Sequence, residues 1–309
     1  MGVRLLLAAL LLLVAAPAVA QVETVRLWPG APPGSGGPSG PEQVGTEGMA
    51  AGAYTNIATP RFEVYRPRDP NGAAMLVLGG GGYFRIQIGS AARPVARWLA
   101  DQGITAFVLF YRLPGDGWNE DAPFQDAERA LRLIRADAAR YGIDPHRLGV
   151  LGSSAGGHLA GIMATRGDED FYRHVDAADD QPARPDFAAL IYPVVSVRPP
   201  LDTTRTARHL RHLPDYRAAF SVEEHVDAAT PPVFLAHALD DPIADPGHSL
   251  AMFQAMRAAH RPVELHLFQT GGHSWGMGAP GSEVAAWPGL FLAWLRANRF
   301  VPGGGARAF

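Results

Sequence analysis

The chain has 309 residues, 27 basic side chains against 30 acidic ones, a formal net charge of -3 and no cysteine; no lysine appears either, so every basic side chain is an arginine. Schiff-base chemistry and a lysine-dependent phosphate loop are thereby excluded, as are thiol nucleophiles, cysteine-held zinc and iron–sulfur clusters. The arginines are spread among carboxylates, which leaves no basic stripe for nucleic acid, and packing rather than disulfides must hold the fold.

Residues 1–20 begin with Arg4, run apolar from Leu5 to Ala16 and end on Ala18-Val19-Ala20. That pattern predicts an export signal cleaved near Ala20 and a periplasmic or secreted product. No later stretch reaches about 18 uninterrupted apolar residues, so stable membrane insertion is not expected. Residues 21–60 read as an extended surface arm, because Trp28 to Gly52 is rich in Gly, Pro and Ser without periodicity.

From residue 61 to 300, short apolar runs alternate with segments of helical period, which predicts an α/β domain with a mostly parallel central sheet and helices on both faces. Strands are expected at Arg61–Arg66, Ala74–Leu78, Ile104–Tyr111, Leu148–Leu151, Phe187–Tyr192, Val233–Ala238 and Val263–Phe268. Helices are expected at Ala92–Asp101, Pro123–Tyr141, Ala155–Thr165, Ser249–His260 and Glu283–Asn298. In the longest, Leu131, Ile134, Ala138 and Tyr141 form one stripe, Arg132, Arg135 and Arg140 mostly face outward, and Gly142 sits where a C-cap belongs. Residues 198–226, which carry Arg205, Arg208, Arg211 and Arg217 with His209 and His212, form an insertion placed either to cover a site as a lid or to stand as a solvated excursion. Its His209 and His212 have metal-ligand spacing but no obvious third ligand, so no metal site is assigned. Residues 301–309 are a tail.

The run Leu148-Gly-Val-Leu-Gly152-Ser153-Ser154-Ala155-Gly156-Gly157-His158 joins a strand, a Gly-x-Ser-x-Gly turn and a helix, which makes Ser154 a candidate nucleophile. A serine hydroxyl needs a general base, and the base needs a partner to fix its tautomer. The acid is sought after the strand Val233–Ala238, where Asp240 and Asp241 compete; the Asp-Pro-Ile turn favours Asp241, and Asp245 lies further along the loop. His273, in a Gly-rich and expectedly mobile loop after Val263–Phe268, is the candidate base, whereas His248, His260 and His266 occupy structural positions and His158 and His237 read as packed or supporting. Gly80 and Gly81, after the strand Ala74–Leu78, together with the N–H of Ala155, are the candidate oxyanion donors. Tyr83 and Trp275 are expected to border the substrate's leaving group.

These residues resemble the α/β-hydrolases of the bacterial acetyl-xylan and feruloyl esterase, or endo-xylanase-like esterase, family. Segments that carry the resemblance include Leu27-Trp28-Pro29-Gly30, Gly80-Gly81-Gly82-Tyr83, Gly152 to His158, Arg184-Pro185-Asp186-Phe187, Thr230-Pro231-Pro232 and Gly271-Gly272-His273. The resemblance implies a single-domain α/β-hydrolase fold without cofactor or metal, a Ser154–Asp241–His273 triad, and deacylation of small-molecule or carbohydrate esters, often acetyl groups on sugars. Two features depart from the pattern. Gly79 stands where many relatives carry proline, which is expected to loosen the oxyanion loop, and the arginine-rich insertion is longer than usual. A prolyl-oligopeptidase-like serine peptidase would share the triad but usually carries a large gating domain, which this sequence does not show; a silent binding protein on the same fold is the other alternative. The oligomeric state is not readable from the sequence.

Overall fold

A computed structural model describes residues 22–303; the expected export signal and residues 304–309 of the tail lie outside the described residues. Strands occur at β1 (Glu23–Arg26), β2 (Gln43–Val44), β3 (Ala53–Thr55), β4 (Arg61–Tyr65), β5 (Ala74–Leu78), β6 (Ile86–Gln87), β7 (Thr105–Phe110), β8 (Leu148–Ser153), β9 (Phe187–Ile191), β10 (Val233–Ala238) and β11 (Val263–Phe268). The helices are α1 (Arg93–Asp101), α2 (Ala122–Ala136), α3 (Ala138–Tyr141), α4 (Ala155–Arg166), α5 (Arg205–Leu210), α6 (Tyr216–Phe220), α7 (Gly247–Ala258) and α8 (Trp287–Ala297).

The main sheet runs β1-β4-β7-β5-β8-β9-β10-β11. It is parallel from β7 to β11 and antiparallel only where β1 meets β4 and β4 meets β7. Strands β5, β7, β8, β9 and β10 are buried along their whole length, as sequences such as Ala-Met-Leu-Val-Leu require when helices cover both faces. The edge strand β11 is only half-buried, and its residues alternate less apolar character accordingly. Because the parallel strands all point one way, the loops after β5, β8, β10 and β11 emerge at one end of the sheet, where open α/β sheets place their ligands.

The N-terminal arm is tied down more firmly than an extended surface segment. Its first residues form β1 on the edge of the main sheet, β2 and β3 join β6 in a small second sheet, and Leu27, Trp28 and Ile57 enter the core. Trp28 Nε1 donates to Asp126 Oδ1 at 2.8 Å. Asp126 also accepts from the backbone N–H of Arg112 at 2.8 Å and pairs with its guanidinium, both side chains being wholly buried. A buried pair broken from one side leaves an uncompensated charge. Asp126→Ala is therefore expected to destabilise the protein by about 3–5 kcal/mol, read as a shifted urea midpoint at unchanged slope.

The long helix expected over Pro123–Tyr141 is interrupted at Asp137, whose backbone (φ -98°, ψ 18°) leaves helical geometry and starts α3. Gly142 ends α3 at φ 66°, as its place in the sequence implied. Arg132 and Arg135 do not face solvent. Arg132 pairs with Glu128 and Asp170, Arg135 with Asp186 and the carbonyls of Pro145 and Pro182, because residues beyond α4 fold back over this side of α2. Arg140 is exposed, as expected.

Candidate active site

Between β8 and α4 the chain turns through Ser154 at φ 54° and ψ -121°, a conformation that costs a non-glycine residue about 1–3 kcal/mol. Its neighbours must be glycine for steric reasons. A Cβ at Gly152 would collide with the Gly156 carbonyl oxygen, and one at Gly156 with the Leu78 carbonyl oxygen. The turn is anchored by Ser154 N–H donating to Ile191 O at 3.0 Å and by Ser154 O accepting from Val194 N and His158 N, both at 3.1 Å.

The three side chains singled out in the sequence meet there. Ser154 Oγ lies 2.9 Å from His273 Nε2, and His273 Nδ1 lies 2.6 Å from Asp241 Oδ2. A carboxylate can only accept, so the proton sits on Nδ1 and Nε2 is free to take one from the hydroxyl. Asp241 Oδ2 also receives His237 Nε2 at 3.2 Å, and Oδ1 receives the N–H groups of Ile243 and Ala244 at 2.8 and 3.0 Å. Burial by itself would raise the Asp241 carboxyl; the hydrogen bonds from His237 and His273 outweigh it and hold the group well below the usual carboxylate range. Asp240 does something else: its Oδ1 accepts from Gly272 N at 2.7 Å and so fixes the loop that carries the base. Asp245 turns its Oδ1 onto Gly247 N at 2.7 Å, at the start of α7.

The Gly-rich loop after β5 packs directly on the elbow. A Cβ at Gly80 would stand 2.9 Å from Ser154 Cβ and 2.6 Å from Ser153 O, so only glycine permits this approach. In a trans peptide the N–H points opposite to the preceding carbonyl. Tyr111 Oη holds the Gly79 carbonyl at 2.7 Å and Gln87 N holds the Gly80 carbonyl at 2.9 Å, which fixes the N–H directions of Gly80 and Gly81 in turn. The Gly79 position is thus locked by Tyr111 rather than loosened by the absence of proline. Ala155 opens α4, where helix geometry leaves its N–H without an intrahelical acceptor.

The model of the BD-FAE family matches residues 62–256, more than half of the chain. The chain belongs to the BD-FAE family. That match ends before His273, whose place beside Ser154 and Asp241 rests on its contacts. An acetylxylan esterase of Xylanibacter ruminicola is 29% identical over 227 residues, 69% of this chain and 43% of that protein; the chain thus spans less than half of this curated relative. Among solved structures, an acetyl ester-xyloside bifunctional hydrolase of Caldicellulosiruptor lactoaceticus superposes with a TM-score of 0.77 at 31% identity, over 93% of this chain and 100% of that one. A thermophilic esterase of Thermogutta terrifontis, 24% identical, gives 0.69 over 80% of this chain and 92% of that one. The fold is that of the α/β-hydrolases.

Around Ser154, Asp241 and His273 of this BD-FAE chain, one of the two side chains expected to border the leaving group stands elsewhere. Tyr83 does not border the pocket: at φ 61° the turn swings its ring inward, where it is fully buried with its hydroxyl 2.9 Å from His158 Nδ1. Trp275 is half-buried and packs edge-on against Tyr192 with ring centroids 4.4 Å apart. Tyr192, which the sequence did not single out, also packs on His273 at 5.0 Å and accepts from Gly276 N at 3.3 Å. Burial pushes its phenol up to about 12, so it stays neutral. With Asp240 on Gly272 and Trp287 Nε1 on Gly276 O, the base loop is pinned at three points rather than mobile. The insertion reaches the site through α5, whose Arg205 side chain packs on Gly82. Among the described residues no group of three metal-ligating side chains gathers, at His209 and His212 or elsewhere, and no helix is long and apolar enough to cross a membrane.

His158 ties these parts together and makes the fold sensitive to acid. Its Nε2–H donates to Phe220 O at 2.8 Å, which leaves Nδ1 to accept the Tyr83 hydroxyl. Burial lowers its pKa to about 4. The unfolded imidazole, near 6.5, binds a proton that the folded one refuses, so stability is complete above about pH 6.5 and is lost as pH falls toward 4. A loss of about 2 kcal/mol between pH 7 and pH 5 is expected from this residue alone, measured by urea unfolding. His158→Gln, whose amide supplies one donor and one acceptor, should flatten that slope.

Proposed function

We propose that the chain is a serine carboxylic-ester hydrolase that works through an acyl-enzyme and removes acetyl groups from small or carbohydrate esters. The observation that carries this reading is the contact chain from Ser154 Oγ to His273 to a buried, fully bonded Asp241. Similarity to an acetylxylan esterase and to an acetyl ester-xyloside hydrolase supports the substrate class.

In this mechanism His273 Nε2 takes the Ser154 proton as Oγ attacks the ester carbonyl. The carbonyl oxygen becomes an oxyanion held by the N–H groups of the Gly80–Gly81 loop and of Ala155; one such donor is typically worth about 3–4 kcal/mol in the transition state. The imidazolium formed is stabilised by Asp241 and hands its proton to the departing alcohol. Water, deprotonated by the same imidazole, then attacks the acyl carbon and frees Ser154.

The purified protein is expected to release 4-nitrophenol from 4-nitrophenyl acetate and to be labelled at Ser154 by a fluorophosphonate, while leaving the corresponding acetanilide intact. Failure of both the release and the labelling would overturn the reading. Cleavage of the anilide at a comparable rate would favour a peptidase.

A further inference from the structure

The arginine-rich insertion sets Arg205 against the glycine loop that packs on Ser154. The side chain of Arg205 runs 3.1–3.3 Å from where a Gly82 Cβ would be, so its stem packs closely on the oxyanion loop at a residue whose positive φ favours glycine. Its guanidinium lies over the Phe84 ring, 4.1 Å from the centroid, and Arg85 approaches the same ring at 4.9 Å. Two like charges share one aromatic platform. Among the described residues no carboxylate pairs with either of them, whereas Arg198 and Arg217 of the same insertion pair with Glu224 and Asp202. The Nε of Arg85 is buried without any hydrogen-bond partner. Burial lowers the Arg85 pKa and the Arg205 charge lowers it further, as expected of a cation lacking its counter-ion.

Helix stability does not account for the arrangement either. Arg205 is the first residue of α5, where a cation opposes the helix dipole. Burial, Arg205 and Arg208 lower the pKa of His209 on the same helix, and an imidazole, neutral or cationic, offers the arginines no counter-charge. Gly80 touches Ser154 and Gly82 lies two residues on, which puts the arginines on the order of 10 Å from the nucleophile. A group carried on the substrate beyond the ester can span that distance.

We propose that Arg85 and Arg205 form a carboxylate-binding subsite, so that the preferred ester carries an anionic substituent such as a uronate. The proposal rests on the esterase reading above and adds to it the charge of the substrate. A carboxylate presents two oxygens to the planar guanidinium forks and relieves the repulsion between them.

The test compares kcat/KM on acetylated xylo-oligosaccharides that carry or lack a glucuronate branch, with 4-nitrophenyl acetate as a third substrate. The wild-type protein is expected to favour the branched ester at least tenfold at low salt, less so in 0.5 M sodium chloride, as screening of an exposed charge requires (an order-of-magnitude expectation). Arg205→Gln and Arg85→Gln should each reduce that preference about tenfold. Arg211→Gln, an exposed arginine of the same insertion outside the subsite, should leave it unchanged. Equal rates on both oligosaccharides, or an equal loss of preference in Arg211→Gln, would overturn the subsite while 4-nitrophenyl acetate turnover kept the esterase reading. Absence of hydrolysis on all three would overturn both.

Discussion

Replacing Ser154 with alanine is expected to lower kcat on an acetyl ester by about 10⁶ while leaving the fold in place. The size of the effect follows from what remains. Alanine keeps the φ 54° backbone that serine already tolerates, so Gly80, Gly81 and Ala155 stay where they are and no new strain is added. It removes the only atom that His273 Nε2 touches in the triad at 2.9 Å, and with it the covalent route. Residual turnover of about 10³–10⁴ over water is then all that donors and binding supply. The measurements are 4-nitrophenol release, fluorophosphonate labelling and the thermal midpoint of the same preparation. A variant that kept turnover within tenfold of wild type would mean that Ser154 is not the nucleophile, whatever its contacts.

Why Ser154 could be read from sequence and Tyr192 could not is a matter of where their constraints originate. Ser154 and Asp241 follow apolar runs recognisable as buried strands, His273 follows a half-buried strand of alternating character, and Ser154 and His273 stand among glycines that a tight turn demands. Their constraints are local. Tyr192 matters because Trp275, His273 and Gly276 arrive beside it from more than eighty residues away, and no local pattern announces that. The same holds for the pairing of Asp240 with Gly272 and for the burial of Arg132 and Arg135 under a later segment. Tyr83 shows the converse. Its neighbours Gly80–Gly82 suggest the pocket, yet the positive φ of Gly81 and Gly82 continues through Tyr83 and sends its ring into the core.

The choice between two adjacent aspartates gives the other large effect. Asp241→Asn is expected to lower kcat by about 10⁴, equivalent to about 5 kcal/mol of transition-state stabilisation. The backbone N–H groups of Ile243 and Ala244 both donate to Oδ1, so the asparagine must keep its oxygen there and turn its NH₂ toward His273 and His237. Facing a donor, His273 Nδ1 becomes the acceptor and the ring proton moves to Nε2. An Nε2 that already carries a proton cannot take the one from Ser154. Asp240→Asn retains an oxygen for the 2.7 Å bond from Gly272 N and should cost no more than a few-fold, an order-of-magnitude expectation for a surface substitution that keeps its hydrogen bond. The two variants assayed side by side on 4-nitrophenyl acetate therefore decide the assignment. Loss of activity in Asp240→Asn with retention in Asp241→Asn would transfer the role to the neighbour and leave the four hydrogen bonds at Asp241 as a structural feature of the turn.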